Sequence, residues 1–294
     1  MTKDMQGQMS LGTQIIEQVW QRLRPYELPK LREMPAERIA VVRGSYDHVE
    51  KILKNASIPH TAISSFPKKG ELQQGGKYQD CKVLFVNCDS EYHDKTSDGF
   101  EDKGLTKNNK SSIIDFVESG GRIITTDWAQ EVVKYLFGKI SSKQDVIPEK
   151  VVEVKFPSYI GKNLLGINYA NAQPKWWIEA SSDTIKPLAN SGIVELITSN
   201  ELQKAHSSKY IAIGFKQGQG EAFHFVSHLI AQKFKNSTAR DKQGLQTFLD
   251  QTQTKISGSE NMANVTLGGI ETTYTLMNTV LELIREKPIL EAKK

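Results

Sequence analysis

Two apolar runs in the first half of the chain limit the folds that it can adopt. "RIAVVRG" and "KVLFVN" (residues 38–44 and 82–87) show no polar alternation, which is typical of strands that are covered on both faces. Between them lies a predicted helix with Val49, Ile52 and Leu53 on one face, and "PHTAI" then returns as a strand. A strand, a crossover helix and a second strand form a βαβ unit, whose strands are parallel. The sequence therefore predicts a parallel sheet with helices packed on it.

The same alternation continues to about residue 140. The predicted helix "KSSIIDFVES" ends in a Gly-Gly pair and leads into the apolar strand "RIITT", which is followed by the helix "DWAQEVVKYLF". A polar loop of about 20 residues (88–108) separates "KVLFVN" from the first of these helices, and its length is uncommon within a compact domain. We expect an α/β fold with a three-layer, doubly wound, mostly parallel sheet of flavodoxin type.

The second half of the chain has a different pattern. Short β-like runs between residues 150 and 200 predict a β-rich extension, and "YIAIGFKQGQGEAFHFV" predicts a hairpin around Gly218–Gly220. Helical periodicity returns from about residue 270, as either a core-packing stripe or a seam for a partner helix. The predicted domains are an N-terminal tail, amphipathic helix and Pro-rich connector (1–36), an α/β domain (37–235) and a helical segment packing on it (236–294).

Composition excludes several function classes. The chain has 294 residues and a net charge of +4, which is too balanced to predict nucleic-acid binding. No apolar run is long enough to span a membrane, and the polar first residues do not resemble a secretion signal, so a cytoplasmic location is expected. Cys81 and Cys88 flank an extended run and would lie roughly 23 Å apart, too far for a disulfide. We expect no cofactor and no metal.

Cys88 is the first candidate for a catalytic residue. It follows a buried strand, and ligands of open α/β sheets bind beyond the carboxyl ends of the strands. His93 or a more distant histidine could activate its thiol as a nucleophile. Asp89 opposes this, because a neighbouring carboxylate raises the pKa of a thiol. The alternative is a small apolar side chain that closes the strand.

Other candidates lie at the remaining predicted strand ends. Asp127 and Trp128 follow "RIITT", where they can be a helix N-cap and a packing aromatic or else cleft residues. His224 and His228 are too far apart along a strand to share one metal ion, although His228 alone can line a cleft.

The turn after the first predicted strand is a further candidate for the ligand cleft. It begins with Gly44 and Ser45, and a helix follows it. It has one glycine where dinucleotide sites use three, which argues against nucleotide binding.

The order of these elements resembles the class I glutamine amidotransferase-like superfamily, including its trehalose-utilisation-type branch. The stretches that carry the resemblance are "RIAVVRGSYDHVEKIL", "KVLFVNCDS…IIDFVESGGRIITTDWA" and "GQGEAFHFVSH". The resemblance implies a flavodoxin-like core. It also implies a nucleophilic cysteine in a Gly-x-Cys-x-Gly elbow and a His-x-Glu pair, and neither motif is present: no glycine flanks Cys88, Asp127 stands after the strand that should carry the elbow, and Leu229 follows His228.

These departures lead to a function prediction with two alternatives. Because the strand ends hold no consistent set of nucleophile, base and oxyanion donor, we expect a non-catalytic scaffold or ligand-sensing subunit, a pseudoenzyme. Its partner would be another protein, bound through loop 88–108 or the terminal helices, or a second copy of the chain. The alternatives are a hydrolase in which Cys88 or Asp127 meets His228, and a carbohydrate- or nucleotide-binding domain.

Overall fold

A seven-stranded, mostly parallel sheet forms the centre of the protein. The structure is a computed structural model that describes residues 13–22, 24–88, 105, 107–158, 175–179, 181–228, 249–250, 253, 277–285 and 288–290. Five of its strands run parallel to one another, whereas the other two form an antiparallel edge. The expected doubly wound α/β fold is confirmed.

The strands of this sheet have the following bounds: β1 Ile39–Val42, β2 Thr61–Ile63, β3 Val83–Val86, β4 Arg122–Thr126, β9 Val194–Thr198, β10 Tyr210–Gln217 and β11 Gly220–Phe225. Their order in the sheet is β2-β1-β3-β4-β11-β10-β9, and β10 and β9 are the antiparallel strands at its edge. Every residue of β1, β3, β4 and β11 is buried. Burial on both faces explains why β1 and β3 are continuous apolar runs, because neither face meets water.

The predicted β-rich extension consists of two small antiparallel pairs. Strand β5 (Ile140–Ile147) pairs with β8 (Ser182–Pro187), and β6 (Lys150–Glu153) pairs with β7 (Lys175–Ile178). The predicted hairpin is also confirmed, since Gln217 of β10 pairs with Gly220 of β11.

The helices pack against the central sheet. They are α1 (described over 13–22), α2 Glu27–Glu33, α3 Val49–Asn55, α4 Lys107–Glu118, α5 Gln130–Phe137, α6 Asn200–His206 and α7 (described over 277–284). No helix among the described residues is long and apolar enough to cross a membrane.

The two terminal segments meet on the core. Trp20 of α1 and Met277 of α7 are fully buried in the same hydrophobic cluster. The Arg24 guanidinium donates a hydrogen bond to the Asn278 side chain at 2.8 Å. The helical stripe near the C-terminus is therefore a core-packing stripe over the part that the structure describes, as the first of its two interpretations expected.

Candidate active site

Three candidate residues lie at the carboxyl edge of neighbouring parallel strands. Cys88 follows β3, Asp127 follows β4 directly, and His228 follows β11. Strands β3, β4 and β11 are adjacent and parallel in the sheet, so their carboxyl ends lie side by side. The fold thus brings together side chains that are far apart in the sequence.

The side chains of these three residues meet in a buried cluster. Asp127 Oδ2 lies 3.5 Å from Cys88 Sγ and 3.3 Å from His228 Nε2. One donor atom from each residue lies within 4.8 Å of the other two, and all three residues are at most 5% exposed. A thiol, a carboxylate and an imidazole are therefore in mutual reach, as the hydrolase alternative requires of Cys88 or Asp127 and His228.

Asp127 stands on a sharp turn between a strand and a helix. Its φ angle is +44°, in the left-handed region, and a 3-10 turn (Asp127–Ala129) leads from it into α5. Aspartate enters this region more readily than most residues, but the conformation is still uncommon and is found at functional sites. The N-cap interpretation of Asp127 is wrong, since its carboxylate faces Cys88 and His228 instead of capping the helix.

A second carboxylate, which sequence reasoning missed, holds the other side of the imidazole. Glu179 follows β7, and its Oε2 lies 2.5 Å from His228 Nδ1. The backbone N–H of Glu179 donates to Ser227 Oγ at 3.3 Å, which ties it to the segment that carries His228. His228 therefore lies between two acids, with Asp127 at Nε2 and Glu179 at Nδ1.

The surroundings of His228 determine its protonation state. Burial lowers the pKa of His228, but contacts with Asp127, Cys88 and Glu179 and the charge of Asp47 outweigh it and raise the pKa well above its usual value. The imidazole is therefore protonated and positively charged at neutral pH.

The Cys88 thiol is held in its neutral form. Burial raises the pKa of Cys88 to about 12, and the charge of Asp127 adds to this, while His228 opposes it. Because the thiolate is the nucleophilic form, the structure argues against Cys88 as the attacking group.

The turn after β1 fits closely around Cys88. The carbonyl oxygen of Cys88 accepts long hydrogen bonds from the backbone N–H groups of Tyr46 and Asp47, at 3.4 and 3.5 Å. A Cβ at Gly44 would lie 2.2 Å from this oxygen, so only glycine fits there. Ser45 is exposed on the same turn. Gly44 therefore has a steric role beside the site.

The remaining candidates are placed differently. Trp128 is half-buried beside Asp127, its indole N–H donates to the Ser181 carbonyl at 3.0 Å, and its ring meets that of Tyr46 edge-on at 5.9 Å. His224 is fully buried within β11, with Nδ1 2.9 Å from Thr125 Oγ1, and burial lowers its pKa to about 3.

His224 is thus a neutral core histidine and does not join the Cys88, Asp127 and His228 cluster. Asp89 and His93 lie outside the described residues.

The cluster also has the donor set of a metal site. Thiolate, carboxylate and imidazole are all ligands of Zn²⁺, and a zinc-bound histidine typically has a carboxylate on its second ring nitrogen, as Glu179 is here. Cys88, Asp127 and His228 are the described residues that could hold such an ion.

Solved structures with a similar fold were found. A glutamine amidotransferase from Thermotoga maritima matches with a TM-score of 0.50 at 9% identity, over 86% of this chain and 100% of that one. The chain has the class I glutamine amidotransferase-like fold. A ThuA-like protein from Bacteroides uniformis also matches, with a TM-score of 0.42 at 9% identity, over 66% of this chain and 83% of that one. No protein-family model and no curated protein sequence matches the chain.

The match to the glutamine amidotransferase confirms the fold that the resemblance implied. At the carboxyl edge of the sheet, Asp127 occupies the turn between β4 and α5. The acid beside His228 comes from Glu179 at the end of β7, not from the residue two positions after the histidine.

Proposed function

We propose that the protein is a hydrolase in which Asp127 and His228 activate water and protonate the leaving group. The observation that carries the proposal is the position of His228 between two carboxylates, with Asp127 on a left-handed turn 3.3 Å from its Nε2. The proposal adopts the hydrolase alternative over the non-catalytic one, because the side chains of Asp127 and His228 meet, as that alternative requires.

The two groups begin in complementary protonation states. His228 carries a proton on each ring nitrogen, and Glu179 accepts the one at Nδ1, so the proton at Nε2 is the one that can be transferred. Asp127 Oδ1 is buried and has no hydrogen-bond partner among the described residues. This oxygen is the acceptor that a water molecule would use.

The proton transfers by Asp127 and His228 would balance over one catalytic cycle. Asp127 removes a proton from the water as the water oxygen attacks the electrophilic atom of the substrate. The bond to the leaving group breaks, and His228 Nε2 donates its proton to that group. Asp127 is then neutral and so is His228. Transfer of the proton from Asp127 to His228 across their 3.3 Å contact restores both groups.

The experiment is a hydrolysis assay on p-nitrophenyl acetate, p-nitrophenyl phosphate and a p-nitrophenyl glycoside. We expect turnover of at least one of them, with kcat/KM reduced by about 10²- to 10⁴-fold in Asp127→Asn and in His228→Gln. The matched control is His224→Gln, which changes a buried histidine of the same segment that does not join the cluster.

Two results would count against this hydrolase. One is equal activity in the folded Asp127→Asn, His228→Gln and wild-type proteins. The other is no turnover of any of the three p-nitrophenyl substrates, which would favour the contact-based role. In that role a partner would use the polar faces of α1 and α7, because Trp20 and Met277 are already buried. A protein partner, a carbohydrate or nucleotide ligand and a cytoplasmic location remain predictions.

A zinc-dependent version of the same site is the second candidate, favoured by the three donor atoms within 4.8 Å. Elemental analysis of the purified protein separates the two versions. One equivalent of zinc that is retained in Cys81→Ala but lost in Cys88→Ala would assign the site to a metal centre. No zinc, together with activity that resists chelators, would support the acid–base pair alone.

A further inference from the structure

A cavity lies at the opposite edge of the sheet, where the parallel strands begin. Its volume is about 500 Å³, within the range of small-molecule sites. Five cationic side chains and no carboxylate are among the residues that line it, the cations being Arg38, Lys82, Arg122, Lys216 and Arg285.

Strand register explains why three of these cations are neighbours. Arg38 precedes β1, Lys82 precedes β3 and Arg122 opens β4, so each buried apolar strand begins beside a basic residue. The N–H of Lys82 donates to the Arg38 carbonyl, and the N–H of Arg122 donates to the Lys82 carbonyl, both at 2.9 Å. Adjacent strands are about 4.8 Å apart. Like charges in neighbouring cross-strand positions repel one another, which is unfavourable unless an anion compensates them.

Two of the cations already have carboxylate partners. Arg122 Nε lies 3.0 Å from the buried Glu221 carboxylate, and its guanidinium also donates to the Arg285 carbonyl at 2.8 Å. Arg285 pairs with Glu282 at 2.6 Å and with Glu27 at 2.8 Å. These contacts hold α7 and α2 against the sheet, and they form one wall of the cavity.

Arg38 and Lys82 differ from these two. No carboxylate among the described residues lies within ion-pair distance of either one. Arg38 is half-buried and Lys82 is exposed, so both can reach a ligand in the cavity. The cavity therefore has an excess of positive charge on its β1 and β3 side.

We propose that this cavity binds a small phosphate-bearing anion with at least two negative charges, with Arg38 and Lys82 as the main ligand contacts. A concave site of this volume suits a small molecule, and guanidinium and ammonium groups are the usual protein partners of phosphate. The site lies at the edge opposite to Asp127 and His228, so it is independent of the proposed hydrolase.

The test is isothermal titration calorimetry of the full chain with pyrophosphate, at 50 and 200 mM salt. We expect saturable binding that weakens as salt increases, and an affinity at least about 10-fold lower in Lys82→Gln and in Arg38→Gln. The control is Lys54→Gln, which removes an exposed charge from α3. Its affinity should equal that of the wild type.

Three outcomes would overturn the proposal. The first is no heat of binding with pyrophosphate at either salt concentration. The second is an equal loss of affinity in Lys54→Gln and Lys82→Gln, which would mean that only net charge matters. The third is a short DNA duplex that competes with pyrophosphate and binds more tightly, which would indicate a nucleic-acid surface.

Discussion

The two edges of the parallel sheet carry opposite kinds of electrostatics. At the carboxyl edge, Asp127, His228 and Glu179 form a chain of alternating charge, and the first two are buried. At the amino edge, Arg38 and Lys82 are like charges in adjacent positions that water can reach. Strand direction creates both sets, because parallel strands align all their starts at one edge and all their ends at the other. The carboxyl edge therefore combines a strained backbone turn with groups of defined protonation state, whereas the amino edge has an excess of positive charge.

The two cysteines provide the sharpest comparison, since Cys81 precedes β3 at one edge and Cys88 follows it at the other. Burial raises the pKa of each to about 12. At pH 8 we expect both to react with iodoacetamide about 10³-fold more slowly than a free cysteine, because few thiolates are present. In Asp127→Asn, Cys88 should react about 10-fold faster, because the carboxylate that disfavours the thiolate is lost.

Mass spectrometry of the alkylated peptides gives the rate at each position. Cys81 is the internal control and should not change in Asp127→Asn. If Cys88 of the wild type were alkylated as fast as a free cysteine, that rate would contradict a buried, neutral thiol. Circular dichroism is the control that Asp127→Asn is folded.

Asp127→Asn should also lower the free energy of unfolding by about 3–5 kcal/mol, because it leaves the buried His228 charge with one partner fewer. Asparagine tolerates a positive φ, so the change tests charge more than backbone strain. Urea denaturation measures the loss. A loss below about 1 kcal/mol would show that the buried contact between Asp127 and His228 adds little to stability.

His224 should make stability depend on pH in the acid range. Its pKa is about 3 in the folded protein and about 6.5 when unfolded, so the unfolded state takes up a proton first as pH falls. The contribution of His224 is complete above pH 6.5, and it is lost at up to about 1.4 kcal/mol per pH unit between pH 6.5 and 3.

Urea denaturation at several pH values gives the free energy of unfolding of wild type and of His224→Gln. The difference between the two proteins is the contribution of His224, because all other groups take up protons alike in both. Glutamine can keep a hydrogen bond to Thr125. Parallel stability curves for the two proteins would contradict a buried, neutral His224.

The smallest expected effect is at the amino edge. Lys82→Gln relieves the repulsion between Arg38 and Lys82, so it should raise the free energy of unfolding by about 0.2–1 kcal/mol at low salt. The gain should disappear at 1 M salt, where exposed charges are screened. Lys54→Gln, at an exposed position on α3, should show neither effect. A destabilised Lys82→Gln would mean that Lys82 has a structural contact.

The sequence predicted the strands well, and with them part of the site. The apolar runs of β1, β3 and β4 mark where parallel strands end, and this directed attention to Cys88 and Asp127. It did not predict Glu179, since a single glutamate after a short strand of the extension carries no signal of its partner. The cationic amino edge does have a signal in the sequence, because a basic residue directly precedes each of "IAVV", "VLFV" and "IITT".

By itself, the sequence determined the layers of the fold, because burial on both faces of a strand requires a continuous apolar run and a crossover helix makes neighbouring strands parallel. The tertiary structure decided the chemistry. One backbone angle determines whether Asp127 caps a helix or faces an imidazole. The charge of His228 depends on two acids, Asp127 after β4 and Glu179 after β7. Such contacts form between distant segments, and they depend on distances of a few ångströms that local sequence patterns do not specify.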